Sequence, residues 1–302
     1  MEAVAKCRPS VLVTNDDGID AHGLRALVRV LVDTDLYDIR VCAPHSEMSA
    51  SSHSIVWPRP IGVSQVEMEG ATAYAVKGTP VDCASLGFSN ALFSGPPDLV
   101  ISGINKGCNC GYHILYSGTV AGAREAFLRG VPSLSISYDW VEGKSSVDGY
   151  KIGAQACIPI INKLLTDIRN GTYHQGSFLN INLPTEILQH KGYKVTKQGK
   201  YTVIVGWKGV GPTTQGGKNS STTNMNVDSE TRETKSVPSM AQEVFFTREA
   251  RGYEACKEEG TDYAALQEGY ITVTPLVALS NAETGACAYY KDWMLHAVPA
   301  AL

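Results

Sequence analysis

Two adjacent carboxylates, Asp16 and Asp17, stand directly after the apolar run Val11–Thr14. Paired acids at the end of a buried strand repel each other and lose solvation, so they need compensation. A divalent cation would supply it, because hard cations take oxygen ligands. A solvated turn in which an Asp caps the next helix is the alternative for this segment alone. Three more polar segments invite the same question. Ser46 to Ser54 is rich in small hydroxyls that could wrap an anion or complete a metal shell, or form a plain loop. In Ser102 to Gly111, glycines let backbone approach a ligand, and Asn105 offers a carbonyl oxygen to a hard metal. Lys106 there could neutralise a phosphate or simply face solvent. Ser117-Gly118-Thr119 opens a helix, where free N–H groups and the helix dipole favour an anion, or where Ser is an ordinary cap. Together the four describe a hard-metal site beside an anion site. That suits phosphate-ester hydrolysis: a metal polarises a phosphoryl oxygen and activates water, while dipole and hydroxyls take up charge developing on the equatorial oxygens.

Such residues need strand ends to hold them. Val11–Thr14, 39–43, 98–102, 133–137 and 178–183 read as buried strands. Between the first two, Leu24, Leu27, Val28 and Leu31 make one apolar helix face. Residues 120–128 and 150–168 read as further helices, the second containing Pro159. The pattern predicts an α/β chain with a Rossmann-like, doubly wound, mostly parallel sheet, whose ligands gather at the carboxyl ends of the strands. We read one domain over 1–302, with a catalytic core over 1–185 and a C-terminal extension over 186–302. In the extension, 193–197 and 201–207 look like paired strands. Residues 212–242, rich in Ser, Thr, Asn and Gly, read as a flexible arm. The segments 244–246 and 271–274 look like late strands, and the last 20 residues like a helix with a loose tail.

Composition narrows the class. The 302 residues carry a net charge of −4 and only 19% charged side chains, so there is no basic footprint for a nucleic-acid duplex. No run of about 18 apolar residues predicts a membrane span. The start, MEAVAKCRPS, has no apolar leader, and a cytoplasmic setting is expected. Eight Cys in a chain this long argue against a disulfide scaffold. Cys42, Cys83 and Cys157 read as buried small hydrophobes, and Cys108-x-Cys110 lacks zinc-knuckle spacing. The phosphate-loop, dinucleotide and nucleophile-elbow motifs are missing, which argues against NAD and against an α/β-hydrolase serine.

Val13–Gly18, Ala43-Pro44 followed by Ser49–Ser51, Gly78–Cys83, Asp98–Asn105, Tyr116–Val120 and Gly260–Tyr263 resemble, in order and spacing, the SurE survival-protein family. The resemblance runs from about residue 10 to residue 276. It implies a metal-dependent 5′/3′-nucleotidase, a phosphoric monoester hydrolase acting on nucleoside monophosphates or other small phosphate esters, in some members also on short polyphosphate. It implies one divalent cation per subunit, Mg²⁺ or Mn²⁺. The family's metal ligands fall on Asp16, Asp17, Ser49 and Asn105, with Asp16 and Asp17 also catalytic. Its phosphate side falls on Asn109, Ser117, Gly118 and Thr119, and we add Asn15 to the substrate-binding set. The implied fold is a Rossmann-like core with a C-terminal β-hairpin and helix extension exchanged between subunits, giving a homodimer or homotetramer. Two segments depart from the family pattern. Gly111-Tyr112-His113-Ile114 replaces a run containing two acids, which makes His113 a candidate general acid or half of a surface Tyr-His pair. His45-Ser46-Glu47-Met48 stands where Asp and Arg are usual. His45 and His53 share that loop, and Tyr112 and Trp140 could stack a base or merely pack. A nucleotide-binding module without turnover, and a phosphatase for small non-nucleotide esters, are the rival readings.

Overall fold

Apolar strands alternate with amphipathic helices from the start of the chain, and the parallel crossover units they form wind a sheet in both directions. The computed structural model describes residues 8–210, 244–254 and 258–278. The first half runs β1 (Ser10–Thr14), α1 (His22–Asp33), β2 (Asp38–Pro44), β3 (Val63–Val66), β4 (Ala71–Val76), α2 (Pro80–Phe88) and β5 (Leu99–Lys106). The second half runs α3 (His113–Tyr116), α4 (Gly118–Leu128), β6 (Ser133–Tyr138), α5 (Val147–Asn170), β7 (Phe178–Leu183), β8 (Tyr193–Val195), β9 (Thr202–Val210), β10 (Phe245–Glu254), α6 (Asp262–Gln267) and β11 (Ile271–Leu276). A nine-stranded sheet has the order β3-β4-β2-β1-β5-β6-β7-β11-β8. The six strands from β4 to β7 are mutually parallel. β3, at one edge, and β11, one strand in from the other, run antiparallel to their inner neighbours. The chain leaves β1 toward β2 and later returns on its other side as β5, so the topological switch point lies between β1 and β5.

Burial follows the predicted faces. Leu24, Leu27, Val28 and Leu31 of α1 are buried with Ala154, Cys157 and Ile161 of α5 in one core. On the other face Cys83 of α2 and Ala126 of α4 join Leu12 and Val100. Each buried leucine contributes roughly 1.5–3 kcal/mol. Thr79 caps α2 through a capping box with Asp82, with Pro80 opening the helix.

The structure differs from the sequence reading in three places. β5 continues past Ser102 to Lys106, with a register shift against β6 between Ser102 and Asn105, so Asn105 stands on a strand and not in a loop. Gly103 makes this bulge feasible: its φ is +146°, and a Cβ there would lie 2.4 Å from the Ile136 carbonyl oxygen. Second, β8 does not pair with β9. It lies parallel to β11 at the sheet edge, Tyr193 opposite Ile271. β9 instead pairs antiparallel with β10, and the two strands form a unit of their own. Third, α5 is longer than the helix read over 150–168, spanning Val147–Asn170 with Pro159 inside and Gly171 as its left-handed cap. The arm read over 212–242 and the helix read over the last 20 residues lie outside the described residues.

Asp262, at the start of α6, is fully buried. Its carboxylate accepts the N–H groups of Gly111 (2.9 Å), Gly199 (2.9 Å) and Tyr263 (2.8 Å). Asp262→Ala leaves those donors without a partner, and each buried one costs about 1–3 kcal/mol. The variant is expected to lose about 3 kcal/mol or more of unfolding free energy, read by urea denaturation.

Candidate functional site at the β1–β5 switch point

The turn Asn15–Gly18 leaves β1 at the switch point. Asn15 is fully buried and closes the turn itself, its Nδ2 donating to the Gly18 carbonyl (2.8 Å) and its Oδ1 accepting the Gly18 N–H (3.2 Å). Read from sequence as a substrate contact, it shapes the site from inside. Asp16 is 2% exposed. Its carboxylate accepts the Thr119 hydroxyl and the Thr119 backbone N–H at the start of α4. Its carbonyl accepts the Met48 N–H (2.7 Å) of the loop after β2. Asp17 Oδ2 accepts the Lys106 N–H (2.9 Å) at the end of β5. One turn thus gathers the ends of β1, β2, β5 and α4, the four segments singled out in the sequence.

The approach of α4 depends on Gly118, where a Cβ would lie 2.8 Å from both Asp16 Cβ and Ser51 Oγ. The anion this helix end meets is Asp16, whose carboxylate takes the Thr119 hydroxyl and N–H. Ser117 Oγ accepts the Val120 N–H (3.0 Å) as helix cap, and its own proton is left to donate. Nδ2 of Asn105 donates to the Gly107 carbonyl (2.8 Å), which leaves Oδ1 as its acceptor. Ser49 lies on the exposed rim, its backbone N–H on Glu47 Oε1 (2.8 Å). Asn109 is buried and braced by Asn182 and Ser137, with its Nδ2 2.8 Å from Ser137 Oγ.

The electrostatics are unbalanced. Burial pushes the Asp16 carboxyl up, against the lowering by Thr119. Asp17 is pushed up to about 7, by burial first and by the charge of Asp16 second. Glu47 adds to the strain on both acids, and Lys106 relieves Asp17 only in part. Among the described residues no three His, Cys, Asp or Glu side chains converge as a metal cluster. Any cation here would therefore need neutral oxygens beside the carboxylates. Asn105 Oδ1, the serine hydroxyls and the buried, unpartnered Ser51 Oγ are of that kind, and the set fits a hard divalent ion.

The candidate histidine and aromatics are placed less favourably. The His113 ring donates to the Cys108 carbonyl and packs on Tyr201, with centroids 5.0 Å apart. Burial pushes it down, toward the neutral form that lacks the proton a general acid must give. Trp140 stacks on Tyr150 at 5.6 Å and carries Lys106 Nζ 4.9 Å from its ring centre. It is packing, not an open platform for a base. Sequence reasoning missed the Thr119–Asp16 bond, which no local pattern announces. It also missed the buried Glu125, which meets His53. The Thr79–Asp82 capping box was readable: Asp82 also accepts the Val56 N–H (3.2 Å) and so anchors the Ser-rich loop.

A doubly wound α/β domain with a carboxylate pair held at its switch point defines a Rossmann-like ligand-binding protein. The chain belongs to the SurE family: the family model described as "Survival protein SurE" matches residues 11–204. The 5′-nucleotidase SurE of Campylobacter jejuni is 34% identical over 269 residues, covering 88% of this chain and 91% of that one. The 5′-nucleotidase SurE of Aquifex aeolicus is 33% identical over 270 residues, covering 89% and 92%. The crystal structure of the SurE protein from Aquifex aeolicus superposes with a TM-score of 0.69 at 30% identity, covering 94% of this chain and all of that one.

The raised carboxyls set a pH dependence. In the metal-free fold Asp17 holds its proton up to about pH 7, whereas the unfolded chain releases it near 3.8. Metal-free stability therefore falls as pH rises through that window. Cation binding needs the deprotonated acids, so Mn²⁺ affinity is expected to climb as pH rises through the Asp17 titration at about 7. Calorimetric titration with Mn²⁺ across the window checks this. A flat affinity would separate the pair from the metal.

Proposed function

We propose that this chain is a divalent-metal-dependent phosphomonoesterase that hydrolyses nucleoside monophosphates, 5′ and 3′, to nucleoside and phosphate. The observation that carries the reading is the buried pair Asp16 and Asp17, set between the start of α4 and the end of β5 without a matching positive charge. The relatives named 5′-nucleotidase support the substrate class. Asp16, Asp17, Asn105 and Ser49 would hold one Mg²⁺ or Mn²⁺. Bound there, the ion supplies Lewis-acid polarisation of the phosphoryl group and the positive charge this acidic chain lacks.

The remaining roles fall to the chain's own groups. Thr119 orients Asp16 with two hydrogen bonds, and the Lys106 N–H orients Asp17. The Gly118 N–H and the Ser117 hydroxyl receive phosphoryl oxygens at the start of α4. Asn109, braced from below, holds the facing loop. One carboxylate of the pair accepts a proton from the attacking water as the water oxygen bonds to phosphorus and the bond from phosphorus to the ester oxygen breaks. The leaving alkoxide takes up a proton from that carboxyl or from solvent to give the nucleoside.

The same reading makes the protein a homodimer or homotetramer. The β9–β10 ribbon supports this. An isolated two-stranded ribbon is marginal in water, and this one exposes Trp207, Phe246 and Tyr253 at 60%, 61% and 67%. Cys42, Cys83, Cys108, Cys110 and Cys157 are free thiols, which supports a reducing, cytoplasmic setting. No helix among the described residues is long and apolar enough to cross a membrane.

Asp17→Asn is expected to lower phosphate release from AMP in Mn²⁺ by at least about a hundredfold. Rates on AMP, GMP, 3′-AMP and an alkyl phosphate test the substrate class. AMP binding without phosphate release would overturn the enzymatic reading. Equal rates on the alkyl phosphate would overturn the nucleotide preference. Trp207→Lys with Phe246→Lys is expected to reduce the mass found by light scattering to that of one chain. Unchanged assembly would remove the ribbon from the interface.

A further inference from the structure

The loop after β2 carries Ser49 and Ser51, and its backbone is strained on both sides of Ser51. Ala50 and Ser52 have φ of 57° and 55°, in the left-handed region that side-chain-bearing residues seldom adopt. Such a loop keeps its shape only if its surroundings impose it. Ser52 bonds the carbonyls of Tyr116 (2.9 Å) and Leu115 (2.7 Å), and Thr79 Oγ1 donates to the Ser54 carbonyl (2.7 Å). One contact joins side chains from both partners: His53 Nε2 lies 3.0 Å from Glu125 Oε2. Glu125 projects from α4, the helix whose first turn holds Asp16. Its side chain is 9% exposed, and its other oxygen takes Arg129 Nε at 3.2 Å. A carboxylate buried this far needs its partners. Two atoms of the loop, Ser51 Oγ and His53 Nδ1, are buried without a hydrogen-bond partner, and Ser51 Oγ lies against Gly118 and so beside Asp16.

We propose that His53 and Glu125 are positioning residues whose pair fastens the Ser49–Ser51 loop to α4, so that the metal-binding rim and the phosphate-binding helix end are set as one rigid unit. This rests on the metal-dependent reading above. It adds a pair outside the ligand set, acting through the loop and the helix and touching neither metal nor phosphate. Partners of this kind around a metal site typically govern affinity by about 10- to 100-fold.

The test is Mn²⁺ titration calorimetry on the full chain, with kcat and KM for AMP and thermal melting alongside. His53→Ala and Glu125→Ala are each expected to weaken Mn²⁺ affinity by about tenfold or more. The double variant should be no weaker than either single, because the two act as one unit. Glu125→Gln keeps an acceptor for the imidazole and should restore affinity to within about twofold of wild type. Arg129→Ala, which removes the exposed partner of Glu125 and keeps the His53 contact, should weaken Mn²⁺ affinity less than either alanine variant. Glu125→Asp, which draws the carboxylate back by one carbon, reads the same coupling if an alanine variant does not fold. Wild-type Mn²⁺ affinity in folded Glu125→Ala or Glu125→Asp, or additive losses in the double variant, would overturn the role. A wild-type chain that binds Mn²⁺ but releases no phosphate from AMP would remove the nucleotidase reading alone, and the titrations would still decide the pair. A wild-type chain that does not bind Mn²⁺ would overturn both.

Discussion

The burial of two adjacent carboxylates, Asp16 and Asp17, is the constraint around which this molecule is arranged. Side by side at the end of a buried strand, the two acids resist ionisation, and Asp17 is pushed up to about 7. The fold places hydrogen-bond donors against them from two directions, Thr119 on α4 for Asp16 and the Lys106 N–H on β5 for Asp17. Those contacts require α4 and β5 both to close on the end of β1. The switch point between β1 and β5 is the one place in a doubly wound sheet where the elements diverge enough to leave a crevice for such a turn.

Around this centre and at the far end of β1, carboxylates hold backbone in place. Asp82 takes the N–H groups of Thr79 and Val56 and anchors the far end of the Ser-rich loop. Asp262 takes Gly111 and Gly199 and holds the segment that carries Asn109. Asp98 takes the N–H and hydroxyl of Ser10 at the opposite end of β1. Charge-assisted bonds to backbone donors are among the stronger ones available, and each fixes a loop without adding a flexible side chain to the site. A site of this kind is rigid before any ligand arrives, which is what electrostatic catalysis asks of a protein. The strained Ala50–Ser52 segment is the exception that needs extra fastening, and the His53–Glu125 contact lies beside it.

Much of the core was readable from single segments. The apolar stripe of α1, the apolar runs of β1 and β2 and the alternation of β6 carry their periods openly. The carboxylate pair and the helix start at Ser117 were readable too: they sit where a strand ends or a helix begins. What escaped was set by partners distant in the chain. Asn105 belongs to a strand only because β6 offers a bulged register. β8 looked like half of a hairpin with β9 because neighbours in sequence usually pair. Its true partner, β11, arrives only after the β9–β10 excursion. That Asn15 closes its own turn also escaped, because an amide that bonds its own loop and one that faces a ligand look identical in sequence.

The sequence by itself determined the class of fold, the location of the acids and hydroxyls at strand and helix ends, and the family, because local periodicity and short motifs carry that information. Tertiary structure alone decided which donors each acid receives, that the start of α4 answers Asp16, and that Trp140 is covered by Tyr150 and Lys106. The physical reason is range. Propensity and amphipathic period act over a few residues. A hydrogen bond such as Thr119 to Asp16, or His53 to Glu125, depends on how whole elements pack, and no pattern within either segment encodes it.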